Sequence, residues 1–150
     1  MVHKLIEGLG NGTKNMLTQK RIITYLMHNH SSTIPDLAKD IDLSIPTVTK
    51  FVMELVEEGY IINYGKQETS EGRPPNLYGL NPDSAYMVGV DIKAFCLNIG
   101  LMNFTGDMVD IQMGIECRLD NTLESLDLLI QHICTFIEKH KNIRDRILQV

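Results

Sequence analysis

No apolar run in this sequence approaches the roughly 20 residues that a helix needs to cross a bilayer, so a membrane partner is not expected. The opening MVHKLIEGLGNG has neither the basic-then-apolar layout of a secretory leader nor a small-residue cleavage site. Cysteine is scarce. Cys96, Cys117 and Cys134 are odd in number, widely spaced and set among apolar residues. That argues against a disulfide framework or a zinc site and for reduced, buried thiols in a cytoplasm. His28 and His30 stand two apart, at neither helical ligand spacing, with no cysteine nearby, so no metal and no other cofactor is expected. An excess of positive charge is also lacking, the net charge being -5. Residues 14–82 carry seven lysines and arginines against eight aspartates and glutamates, and residues 83–150 carry six against ten. The overall field therefore repels nucleic acid slightly, and any DNA affinity has to come from a local basic face.

What is present is helical periodicity, then strands. The glycine-rich residues 1–13 read as a flexible lead-in. From Met16 the apolar positions Leu17, Ile22, Ile23, Leu26 and Met27 predict a first helix ending at HNHSS. Thr33 reads as an N-cap with Asp36 three residues on and Pro35 in the first turn, and Ile34, Leu37, Ala38 and Ile41 give that short helix its buried stripe. Ser44 reads as the next cap, again followed by a first-turn proline, Pro46. Val48, Phe51, Val52, Leu55 and Val56 supply the core face, and Gly59 the stop. Tyr60–Tyr64 and Leu77–Leu80 predict a hairpin around a polar tip. Beyond NPDS (81–84), strands are expected over 86–93, 96–103 and 108–118. A helix capped by Asn121 then follows, with Leu123, Leu126, Leu129, Ile130, Ile133 and Ile137 on its core face, and RILQV begins another strand.

Two capped helices joined by a four-residue turn, then a hairpin, predict a winged helix-turn-helix over residues 14–82, with double-stranded DNA as partner. The amino end of the second helix favours a phosphate through its dipole and free N–H groups, and its first side chains reach base edges. The candidate DNA-binding residues are Ser44, Pro46, Thr47, Thr49 and Lys50 on that helix, Lys66 near the wing tip and Arg73 after it. Lys50 suits a phosphate or guanine contact, and Thr47 and Thr49 suit short hydrogen bonds or a thymine methyl. Lys20 and Arg21 read as a solvated face of the first helix. The stretch EGRPP (71–75) is stiffened by two prolines, so it serves as a hinge while presenting Arg73.

The joined order LSIPTVTKFVMELVEEGYI, GRPP, VGVDIKAFCLNIGLMNFTGDMV resembles the ROK family of sugar-responsive repressors and sugar kinases. The resemblance implies an α+β chain, a winged helix followed by an incomplete first lobe of an actin-like (ribonuclease H-like) domain over residues 83–150. It also implies a DNA-binding repressor, dimeric, and responsive to a sugar or sugar-phosphate when full length. The arginine of GRPP, Arg73 here, then suits a narrow A·T minor groove. Kinase members place a Gly-Gly-Thr phosphate turn after an aspartate. Here Asp91 is followed by IKAFCLN, so Lys93 and Phe95 stand where a backbone should approach a phosphate, and no catalytic residue is assigned. The alternatives are a sugar kinase or ATPase fragment and a winged-helix module for protein contacts without DNA.

Overall fold

The structure is a computed structural model that describes residues 14–66, 74–120 and 122–149. The chain divides into two compact units, one up to Ser84 and one from Ala85.

The first unit contains helix α1 (Lys14–Asn29), strand β1 (Ser31–Thr33), helices α2 (Ile34–Asp40) and α3 (Ile45–Glu57), and strands β2 (Ile61–Lys66) and β3 (Asn76–Leu80). The strands form one antiparallel sheet in the order β1-β3-β2. The three-residue β1, unexpected because so short a strand has no readable period, pairs Ser31–Thr33 with Gly79–Leu77. Its last residue also caps α2: Thr33 accepts from the Asp36 N–H, and its hydroxyl donates to Asp36 Oδ2 at 2.6 Å. Ile22, Leu26, Leu37, Val48, Val52, Leu55, Ile61 and Leu80 are the fully buried side chains. Leu17 and Met27, expected on the core face of α1, are exposed. The buried stripe of α1 is the narrower set Ile22, Ile23 and Leu26; Met27 lies at its edge, and Leu17 lies on the opposite side of the helix.

Helix α3 ends as Gly59 predicts. Gly59 sits at φ +80, its N–H donates to the Val56 carbonyl, and the Tyr60 N–H reaches back to Leu55. These are the paired bonds of a Schellman stop, and they turn the chain directly into β2.

The second unit orders its strands β6-β5-β4-β7, from β4 (Tyr86–Ile92), β5 (Cys96–Asn103), β6 (Met108–Glu116) and β7 (Ile147–Gln149). The first three form an antiparallel meander, and β7 returns through helix α4 (Leu123–Lys139) to lie parallel to β4. Its core gathers Tyr86, Val88, Leu97, Ile99, Leu101, Cys117, Phe136 and Ile143, with Leu129, Ile133 and Ile137 packed against it. Two expectations are corrected. Leu123, Leu126 and Ile130 are exposed, while Ser125 and Phe136 face inward. The apolar arc of helix α4 is wider than the sheet covers, so periodicity alone could not select which part of it is buried. Its cap is Thr122, whose hydroxyl accepts from the Ser125 N–H, whereas Asn121 lies outside the described residues. Of the thiols, Cys117 is buried, Cys96 half-buried and Cys134 exposed, and all are free.

Candidate nucleic-acid interface

Helix α3 is placed by its own ends and by its apolar face. Ser44 accepts from the Thr47 N–H at 3.4 Å, and the hydroxyls of Ser44 and Thr47 lie 2.7 Å apart. Pro46 fits the first turn because its missing N–H has no intrahelical partner there. The α2–α3 turn is fixed by Asp42 in the left-handed region (φ 52), a conformation aspartate tolerates better than most residues. Arg21 of α1 donates to the carbonyl of Ile41 at the head of this turn, so a side chain that reads as solvated in sequence is a strut. Tyr25 donates to Asp40 Oδ2 at 2.6 Å. That bond to the carboxylate raises the tyrosine pKa above 10.0, against an opposing contribution from Ser32.

With Val48, Phe51, Val52 and Leu55 buried, the opposite face of α3 presents Pro46, Lys50, Met53 and Glu57, flanked by Thr49 and Glu54. The structure thus brings Ser44, Pro46, Thr47, Thr49 and Lys50 together on the first two turns. Their free chemistry differs, however. The Thr49 hydroxyl donates to the Ile45 carbonyl at 2.8 Å, leaving its methyl and lone pairs for a partner. Thr47 is engaged with Ser44. Because Pro46 has no N–H and Thr47's is capped, the helix amino end offers fewer backbone donors to a phosphate than an uncapped end. Lys50 is 62% exposed, 3.9 Å from Glu54 Oε1 and 5.4 Å above the Phe51 ring. Glu54 is itself held by Gln19 Nε2 at 3.3 Å. Met53 and Glu57, missed in the sequence, share the exposed face and were recoverable by continuing the 3.6-residue period past Lys50. The acidic Glu54, Glu57 and Glu58 crowd the far end of α3, so its electrostatics favour approach to phosphates by the amino end.

Lys66 is exposed at the outer end of β2, paired with Asn76. Arg73 lies outside the described residues. Pro74 and Pro75 lead directly into β3.

The family profile of winged helix-turn-helix DNA-binding domains matches residues 17–62. The chain is 28% identical over 102 residues to a xylose repressor of Caldicellulosiruptor bescii, a match covering 67% of this chain and 26% of the relative. It is 26% identical over 113 residues to a putative xylose repressor of another Caldicellulosiruptor strain, covering 73% and 28%. The fold matches the crystal structure of a ROK family transcriptional regulator, described as a homologue of the E. coli MLC protein. There the TM-score is 0.64 at 20% identity, over 87% of this chain and 33% of that one. The first unit thus carries a winged helix-turn-helix DNA-binding domain, and the chain as a whole is similar to repressors and a regulator of the ROK family. It spans about a quarter of the length of the curated relatives it matches.

The turn between β4 and β5 carries side chains, Lys93 and Phe95, where the glycines of a phosphate-binding turn are absent. It closes tightly, the Lys93 N–H donating to the Cys96 carbonyl at 2.9 Å. Asp91 is engaged by Lys93 Nζ at 3.5 Å and by Asn98 Nδ2 at 2.9 Å, and Phe95 is 72% exposed. A phosphate at this turn would meet side chains in place of a glycine backbone. Among the described residues no His, Cys, Asp and Glu side chains group as a metal site. No helix among them is long and apolar enough to cross a membrane.

Proposed function

We propose that this chain is the operator-binding part of a cytoplasmic, sugar-responsive repressor of carbohydrate-metabolism genes, and not an enzyme. The observation that carries the reading is the α3 face. A doubly anchored helix displays Pro46, Thr49 and Lys50 at its amino end, beside a wing that carries Lys66. Lys50 contacts a phosphate or a guanine edge, and the Thr49 methyl suits thymine. Ser44 and Thr47 hold the helix end in place and meet the backbone of the duplex. Arg73, on the proline-stiffened segment after the wing, enters an A·T minor groove, where its flat guanidinium meets the strongest negative potential. The repressor names of the relatives support the regulatory role, and xylose in those names points to a sugar effector. Such an effector acts by binding the DNA-competent and DNA-incompetent states unequally. Two copies place their α3 helices about 34 Å apart, so the operator is a paired half-site. The side-chain-filled β4–β5 turn counts against the kinase or ATPase alternative.

Selection of bound sites from random duplex DNA tests the reading. A recovered motif of two spaced half-sites with A·T-rich flanks is expected, and Arg73→Ala is expected to erase the flank preference. If no motif is enriched, the fold serves protein contacts and the DNA reading falls. Equal affinity of wild type and Arg73→Ala on A·T- and G·C-flanked sites removes the minor-groove role alone.

A further inference from the structure

The wing contains a feature that neither the recognition helix nor the sheet's core requires. The β2–β3 register slips between Asn63 and Gly65, so Tyr64 is the extra residue of a bulge. The bulge is set by Gly65 at φ +100, with its N–H donating to Asn63 Oδ1 at 2.8 Å. Such a bulge re-aims a side chain and increases the local twist. Here it turns Tyr64 back toward the base of the wing, where its hydroxyl donates to the Leu80 carbonyl at 2.9 Å. The ring lies across Gly79. A Cβ at Gly79 would stand 2.5 Å from Tyr64 Cε2 and 2.6 Å from the His30 carbonyl oxygen. Glycine is therefore required at this central-strand position by close approach. His30 is at φ 62, where the chain leaves α1 for β1, so the contact also reaches the rigid base of the unit. Yet Tyr64 is 52% exposed, more than a core side chain allows.

We infer that Tyr64 is a positioning residue of the wing. Seated on bare Gly79 and tied to Leu80, it locks the outer hairpin to the base of the sheet and fixes the direction in which Lys66 is delivered to DNA. This rests on the DNA-binding reading for its consequence, though not for its geometry. An isolated two-stranded ribbon is only marginally ordered, so a wing without such a brace swings and its cation contributes less.

The full chain is the material for the test. Tyr64→Ala is expected to melt near wild type while amide exchange quickens along β2 and β3, with Val52 and Leu55 of α3 unchanged. Tyr64→Phe, which keeps the ring and loses the Leu80 bond, is expected to give a smaller part of that increase. It decides the matter if the alanine variant does not fold. On a labelled duplex carrying the selected site, the fold-loss in affinity caused by Lys66→Ala is expected to shrink by more than half in the Tyr64→Ala background. Unchanged exchange in the wing, or an equal Lys66→Ala fold-loss in both backgrounds, overturns the inference. Should wild type bind no duplex, the DNA-binding reading fails, and the exchange measurement still decides whether Tyr64 braces the wing.

Discussion

Lys50→Ala removes a cation from the middle of the exposed face of α3. In the free protein Lys50 is 62% exposed, and its partner Glu54 lies 3.9 Å away with 39% exposure. An exposed pair of this kind contributes between nothing and about 1 kcal/mol, so releasing Lys50 to DNA costs little. Alanine is at least as good a helix former as lysine, and the position is outside the core, so folding is unaffected. A bidentate contact to guanine contributes about 1–3 kcal/mol. The expected loss on the selected site is therefore roughly 5- to 150-fold, at about 1.4 kcal/mol per decade. The assay is fluorescence anisotropy of a labelled duplex over a series of salt concentrations, run in parallel on a scrambled duplex. A guanine contact weakens binding to the selected site alone. A phosphate contact weakens both duplexes equally and flattens the logarithmic salt slope by about 0.9. Glu54→Gln is expected to move affinity the other way, because it frees Lys50 and removes a carboxylate from the approach to DNA. Unchanged affinity of Lys50→Ala on both duplexes at every salt concentration refutes the placement of α3 in the groove.

Ser44→Ala removes the cap of α3 and the partner of the Thr47 hydroxyl, so a loss of about 1 kcal/mol in urea unfolding is expected, with weaker DNA binding. Leu55→Ala leaves a cavity at a fully buried site between α3 and the rest of the unit, and chemical denaturation is expected to show a loss of about 2–5 kcal/mol. Tyr25→Phe breaks the bond to Asp40 and is expected to lower stability by about 0.5–1 kcal/mol near neutral pH, since the site is largely open to water. The folded-state pKa of Tyr25 is raised above 10.0, so its contribution is complete below pH 10 and fades as pH rises through the folded value. Melting curves at alkaline pH should accordingly converge for Tyr25→Phe and wild type.

By itself the sequence determined the elements whose signals are local. Thr33 and Ser44 cap the helices they precede, because a short hydroxyl side chain can reach back to an N–H three residues on. Gly59 stops α3 because only glycine enters the left-handed region without strain. The stripe of Val48, Phe51, Val52 and Leu55 determined which face of α3 is free, and so placed Lys50 outside. Tertiary structure decided what local signals could not. The buried strip of α4 was ambiguous because its apolar arc is broader than the sheet can cover, and contact with the sheet chose Phe136 over Leu123, Leu126 and Ile130. Strand β1 exists because β3 offers it an edge, since three residues have no period of their own. Arg21 became a strut only when the Ile41 carbonyl came within its reach, twenty residues on in the chain. Gly79 and Tyr64 stand 15 residues apart in sequence, and only the bulged pairing of β2 with β3 lays one on the other. The sequence could say that a wing follows the recognition helix; the direction of that wing is set by contacts between residues distant in the chain.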